Sequence, residues 1–193
     1  AKDLRVGDIL ELKQPGFGSA HLEEVVAEMI GLAVGDGCLT SKQEIVFISS
    51  AQEERQMLEF VNLGVNFYKQ SQAIDGRGAR WSSIVDTPTG VRMGTSSRAV
   101  VEPLKKYAIV DKDSQEKRFT DDVFMLDKKS QAALLRGLFS ADGTVGNYKN
   151  GCHYVGLDSV SRSLLQQVQL LLLGFEIKAK IYENRRGRGT EGL

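Results

Sequence analysis

Leu135-Arg136-Gly137-Leu138-Phe139-Ser140-Ala141-Asp142-Gly143 repeats, at its small and acidic positions, an earlier stretch, Met29-Ile30-Gly31-Leu32-Ala33-Val34-Gly35-Asp36-Gly37. Gly31 and Gly35 stand four residues apart, as do Gly137 and Ala141. If each copy is a helix, each therefore carries a stripe of small residues along one face. Two such stripes let helix backbones approach closely, so Gly31, Gly35, Gly137 and Ala141 are expected to form one helix interface. Met29, Leu32, Leu135, Leu138 and Phe139 would fill the core of each half.

The segments after the two copies also match in order. A β-branched and aromatic run, Ile45 to Ser50, comes after the first, and Cys152 to Ser159 after the second. Each reads as the return strand of a hairpin, turning near Ser41-Lys42-Gln43 and at Lys149-Asn150-Gly151. Helical patterns come next, Gln52 to Leu63 closed by Gly64 and Ser161 to Leu173 closed by Gly174. Strand-like sequence resumes at Asn66 to Lys69 and at Glu176 to Tyr182. The first half continues through a turn at Asp75 to Ala79, strands around Trp81 to Val85 and Gly90 to Gly94, and a helix from Arg98 to Tyr107. The expected division is a short leading segment (1–20), a first repeat (21–110), a polar linker (111–129) and a second repeat (130–193). The second repeat lacks a counterpart of the closing strand and helix.

If the stripes pack, Asp36 and Asp142 emerge side by side at two helix C-termini. Each such end carries about half a negative charge from unpaired carbonyls, and two carboxylates add to it. A hard dication relieves that repulsion, and oxygen ligands without sulfur or imidazole suit Mg²⁺. Taken singly, each Asp-Gly would read as a helix stop. The matched pair inside a repeat favours a shared site.

Composition narrows the remaining classes. The 25 basic and 25 acidic residues balance, so nucleic-acid binding must rest on how charge is distributed. Lys69, Arg77, Arg80, Arg92 and Arg98 face only Asp75 and Asp86 over their stretch, while acidic residues gather at 23–28, at 53–59 and in the linker. No apolar run reaches the roughly 18–20 residues that span a bilayer, and the start lacks a signal-like stretch. A cytoplasmic protein without membrane contact is expected. Cys38 and Cys152 lack partners at metal-ligand spacing and read as reduced core or strand residues.

At the duplicated motif the sequence resembles the single-chain, two-repeat LAGLIDADG homing endonucleases found in inteins. The resemblance spans roughly residues 22 to 183 and includes Lys117-Arg118-Phe119-Thr120-Asp121-Asp122-Val123-Phe124, similar to the usual lead into the second motif. Gly35 stands where alanine is common and Val34 where aspartate often is.

The resemblance implies an α+β fold of two pseudo-symmetric αββαββα halves, the second shortened. The motif helices would lie at the interface and the sheets would form a saddle over double-stranded DNA. It further implies a monomer with internal pseudo-two-fold symmetry that cuts both strands by metal-dependent phosphodiester hydrolysis. Asp36 and Asp142 would be catalytic and bind metal, with the carbonyls of Gly35 and Ala141 as further ligands. Mg²⁺ is the expected cofactor, with Mn²⁺ a second candidate and Ca²⁺ an ion that would bind without supporting cleavage. Arg98 is the basic residue chosen to assist the transition state. Lys42, Lys69, Gln70, Gln72, Arg77, Arg80, Arg92, Lys149, Lys178, Lys180 and Arg185 are the candidates for DNA contacts. Ser50 and Ser159 would cap helices or position water.

Residues 1–12 resemble a fragment of an intein splicing domain. Ala1 in place of a nucleophile, and no His-Asn pair before Leu193, lead to the expectation that this stretch does not itself splice. The alternative to a nuclease is a non-cleaving binder of DNA or RNA, maturase-like, or a degenerate module of an intein.

Overall fold

A computed structural model describes residues 16–40, 42, 44–71, 84–147 and 153–183, with the side chains of 69–71 excepted. Among them, helix α1 (Glu24–Asp36) is apolar on nearly every side, burying Val26, Ala27, Met29, Ile30, Leu32, Ala33 and Val34. A helix apolar all round belongs at the centre of a fold, and α1 is that centre. Strands β1 (Gly37–Leu39) and β2 (Val46–Ser50) come next as a hairpin, and α2 (Arg55–Ser71) is entered through a short 3-10 turn at Gln52–Glu54. After β3 (Val85–Thr87) and β4 (Gly90–Thr95), α3 (Arg98–Tyr107) closes the first half. The four strands form one antiparallel sheet in the order β1-β2-β4-β3. Its inner face, through Val46, Ile48, Val91 and Met93, joins the core beneath α1.

The chain then runs through β5 (Ala108–Ile109) and β6 (Arg118–Phe119), a two-stranded pair, to a 3-10 turn at Asp121–Met125 and helix α4 (Lys128–Asp142). Hairpin β7 (Gly143–Asn147) and β8 (His153–Leu157) leads into helix α5 (Arg162–Gly174). The order α4-β7-β8-α5 is that of α1-β1-β2-α2, and the architecture is mixed α+β. No helix among the described residues is long and apolar enough to cross a membrane.

Helices α1 and α4 pack backbone to backbone. A Cβ built on Gly137 would stand 1.9 Å from the Glu28 carbonyl oxygen, and one on Gly31 would stand 2.1 Å from that of Leu134. Only a residue without a side chain fits at either position. Towards the C-terminal ends, a Cβ on Gly35 would lie 2.5 Å from Ala141 Cβ. The four interface residues expected from the sequence therefore meet as two facing stripes.

Both helix starts are tied together as well. Asp127 caps α4 by accepting from Ser130 N–H at 2.8 Å, and buried Ser130 donates to the Leu22 carbonyl at 2.8 Å while accepting from Leu22 N–H at 3.0 Å. Arg136 crosses from α4 to Glu28 on α1 at 2.8 Å.

Several local expectations are corrected. Gly64 does not end a helix: α2 runs on to Ser71, so residues 66–69 are helical rather than extended. Leu58, Val61 and Val65 form its buried stripe, and a Cβ on Gly64 would stand 2.6 Å from Val25 Cγ2. The glycine is there for close packing on α1, which spacing alone does not distinguish from a cap. Residues 176–182 form no strand. Glu176 takes a left-handed conformation (φ 65°) as Glu176 N–H and Ile177 N–H bond back to Leu173 and Leu172, and Gln169 then holds the Ala179 carbonyl at 2.8 Å. The polar linker is an anchored strap, because Phe119, Val123 and Leu126 are fully buried. Ser161, not Ser159, caps α5, and no side chain caps the turn after Ser50. Cys38 stands on β1 as a free, exposed thiol. The hairpin turns at 41, 43 and 148–152, Cys152 with them, the predicted turn at 75–79 and the start of the strand at 81 lie outside the described residues.

Gly137→Ala should lower the melting temperature by about 6–12 °C, the equivalent of about 3 kcal/mol of overpacking in a chain of this size. Ser140→Ala, on the exposed side of the same helix, should change it by little. Equal melting curves for Gly137→Ala and the wild type would refute the packing described.

Candidate active site

Asp36 is the last residue of α1 and Asp142 the last of α4, and in each case the next residue begins a strand. The turn is tight: a Cβ on Gly37 would stand 2.6 Å from the Ala33 carbonyl oxygen, and one on Gly143 would stand 2.1 Å from that of Phe139. Glycine after each aspartate thus lets the strand leave the helix at once, with the acid at the exit. Because the two helices pack along their small stripes, both exits fall at the same end. The Asp142 carboxylate lies against Gly35, its Oδ2 3.1 Å from where a Cβ on that residue would be.

The electrostatics arise from this crowding. Asp36 is pushed up from 3.8 to about 6, first by burial, then by the charges of Asp142 and Glu54. Asp142 is also raised, first by burial and further by Asp158. Lys117 opposes the rise at both. Its Nζ donates to the Gly35 carbonyl oxygen at 3.2 Å, capping the C-terminal end of α1 with a cation where the helix dipole favours one. Ser50 faces Asp36 from the end of β2. Its hydroxyl is buried, and it slightly favours the ionised Asp36 carboxylate.

An open cleft of about 500 Å³ lies over this point, lined by Asp36, Ser49, Ser50, Glu54, Thr87, Thr89, Arg92 and Ala141 among others. Its donors are carboxylate, hydroxyl and carbonyl oxygens, a hard set. No group of three or more His, Cys, Asp or Glu side chains among the described residues could hold a metal alone. A cation bound in the cleft would have Asp36 as its motif carboxylate, with Asp142 at the neighbouring helix end beside Gly35, and would need further oxygens from water or substrate. That donor set fits Mg²⁺.

Of the other residues singled out from the sequence, Arg92 lines the cleft, with its guanidinium 5.0 Å over the Phe47 ring on the outer face of the sheet. Lys42, Lys178 and Lys180 are exposed and away from it. Arg98 is not brought to the carboxylates. It opens α3 in the open, where its charge acts on Glu44 beside Lys105. Gln72, Arg77, Arg80, Lys149 and Arg185 lie outside the described residues, as do the side chains of Lys69 and Gln70.

Lys117 is the residue of this candidate site that the sequence did not point to. It sits among Asp111, Asp113, Glu116, Asp121 and Asp122 in a stretch read as a solvated linker. The available signal was a Lys-Arg pair directly before a lone apolar Phe119 in an otherwise acidic run. Glu54 and Asp158, which add negative charge beside the two aspartates, were likewise not anticipated.

Residues 129–193 match the family model of the LAGLIDADG-like domain. The match covers α4, β7, β8 and α5, supports the LAGLIDADG family, and points to a function of homing-endonuclease or maturase type. Over 193 residues, 95% of this chain, the protein is 28% identical to the ribonucleoside-diphosphate reductase NrdEB subunit alpha of Bacillus subtilis (strain 168) and to its counterpart in Bacillus phage SPbeta. The aligned region is 17% of those relatives' own length.

Since the folded protein holds a proton on Asp36 more tightly than the unfolded chain does, ionising Asp36 costs stability. That cost is absent below about pH 4 and complete above about pH 6. In EDTA, Asp36→Asn should therefore be more stable than the wild type at pH 7.5, by on the order of 1 kcal/mol after solvent screening. The difference should vanish as the pH is lowered towards 4. Urea unfolding at several pH values checks this, and a pH-independent difference would contradict it.

Proposed function

We propose that this chain is a site-specific endonuclease that cuts both strands of a long double-stranded DNA target by Mg²⁺-dependent phosphodiester hydrolysis, and that it is borne by an intein. The observation that carries the reading is the delivery of two duplicated helix-terminal carboxylates to one end of a single, sterically enforced helix interface. Near-complete alignment of the chain with a small fraction of two much longer reductase subunits supports an insertion carried within a host protein.

A bound Mg²⁺ would polarise the attacked phosphate and lower the pKa of the attacking water. Asp36 and Asp142 would hold and orient the cation, in competition with protons that burial makes both acids hold more tightly than usual. The Lys117 ammonium, fixed at the Gly35 carbonyl between the acids, is suited to stabilise charge developing on the phosphate, the role first sought in Arg98. Ser50, buried with an unused hydroxyl beside Asp36, is suited to orient the attacking water. The outer sheet face contributes Ser49 and Arg92, neighbours across β2 and β4, for phosphate or base-edge contacts. Lys42, Lys178 and Lys180 extend the basic surface. In this reading the two repeats are pseudo-symmetric halves of one monomeric DNA saddle.

The test uses purified chain and DNA carrying the uninterrupted reductase coding sequence around the insertion point. Double-strand cutting is expected with Mg²⁺ or Mn²⁺ and none with Ca²⁺ or EDTA, while Ca²⁺ still permits binding. Asp142→Asn should abolish cutting and leave DNA affinity nearly intact. Lys117→Met should slow single-turnover cutting by about 100-fold, the scale of losing one preorganised donor to a developing anion. Persistent cutting by Asp142→Asn would remove the assigned role. Binding without cutting by the wild type would instead identify a non-cleaving, maturase-like module.

A further inference from the structure

The side-chain amide of Gln167, on α5, is bonded twice to one residue of the strap. Phe119 N–H donates to Gln167 Oε1 at 3.0 Å, and Gln167 Nε2 donates to the Phe119 carbonyl at 2.9 Å. Strand β6 is only two residues long and pairs on one edge with β5, where Thr120 N–H reaches the Tyr107 carbonyl at 3.0 Å. On its other edge, the Gln167 carboxamide presents one donor and one acceptor, as a peptide unit would, and so takes the place of a third strand. The Phe119 ring is fully buried, which keeps this anchor from sliding.

Two residues before Phe119 comes Lys117. On its other side the chain turns, with Glu116 N–H and Lys117 N–H both donating to the Asp113 carbonyl, at 2.8 and 3.1 Å. The backbone of Lys117 is thus held between a turn and the Gln167 clamp, and from there its Nζ reaches Gly35. Gln167 does not line the cleft and is not among the groups that shift either aspartate.

We propose that Gln167 is a positioning residue for Lys117: its carboxamide fixes the height of β6 and thereby places the ammonium at the end of α1 between the two acids. The proposal rests on the role of Lys117 in the nuclease reading. It also makes the second half contribute to the site twice, through Asp142 directly and through α5 by way of the strap.

The test combines Gln167→Leu, which removes both bonds, Gln167→Glu, which keeps an acceptor but no donor, Lys117→Met, and the double variant Gln167→Leu/Lys117→Met. With Mg²⁺ and saturating enzyme, Gln167→Leu should slow single-turnover cutting by about 10- to 100-fold, the penalty of a misplaced catalytic group, with DNA affinity changed less than about twofold. In the Lys117→Met background it should cost no more than about twofold, since the two act as one unit. DNA-free crystal structures of Gln167→Leu and Gln167→Glu should show Lys117 Nζ withdrawn from the Gly35 carbonyl. Multiplying effects in the double variant, undiminished cutting by Gln167→Leu, or an unmoved Lys117 would each overturn the proposal. If Gln167→Leu melts before assay temperature, Gln167→Glu supplies the same comparison. If the wild type itself does not cut, the nuclease reading fails, and the position of Lys117 in the crystals alone decides whether Gln167 holds it.

Discussion

Gly137 stands against the Glu28 carbonyl and Gly31 against that of Leu134, with no room for a methyl group at either contact. Most of what this protein can do depends on that steric fact. Two helices that touch backbone to backbone have little freedom of translation or roll, so their ends are fixed relative to each other. The carboxylates at those ends are therefore held together although they repel. Burial raises the proton affinity of both, with the charges of Asp142 and Glu54 adding to it at Asp36 and that of Asp158 at Asp142, and the packing of Leu32, Leu134 and Leu138 around the crossing offsets the cost.

The opposite end of the same interface is built in another manner. There the chain before α1 and the chain before α4 are stitched by backbone bonds, Gly18 N–H to Leu126 O and Ala20 N–H to Met125 O, both 2.9 Å, and by Ser130 between them. Asp127, held down to about 2 by the Ser130 backbone N–H and by His21, keeps its charge as a helix cap at any pH near neutrality. Burial and hydrogen bonding hold the N-terminal ends, and the unrelieved charge is confined to the C-terminal ends. Strain at both ends would weaken the crossing itself.

Between the halves, the strap from β5 to α4 does more than connect. Its buried residues, Phe119, Val123 and Leu126, lock it into the core, and its inward-reaching cation, Lys117, meets the carbonyl end of α1. Without that ammonium the end of α1 would present only carbonyl oxygens and acids. Lys117 offsets part of the burial and repulsion that raise the carboxylates, and places a positive donor beside them.

From the sequence alone, the duplication, the two small-residue stripes, the terminal acids and the order of elements as far as the hairpin and helix of each half could all be read. Each is a local pattern, and periodicity and residue size are enough to recognise it. Three things could not be read there. Gly64 looked like a helix stop because a glycine spaced for a cap and a glycine spared for a neighbouring helix have the same spacing, and only Val25 across the gap tells them apart. Residues 176–182 had strand-like alternation but pair with no strand among the described residues, and a strand is defined by its partner. The reach of Lys117 could not be read there because it ends at Gly35, a residue distant in sequence. That contact exists only once buried Phe119 and the amide of Gln167 have set the strap in place.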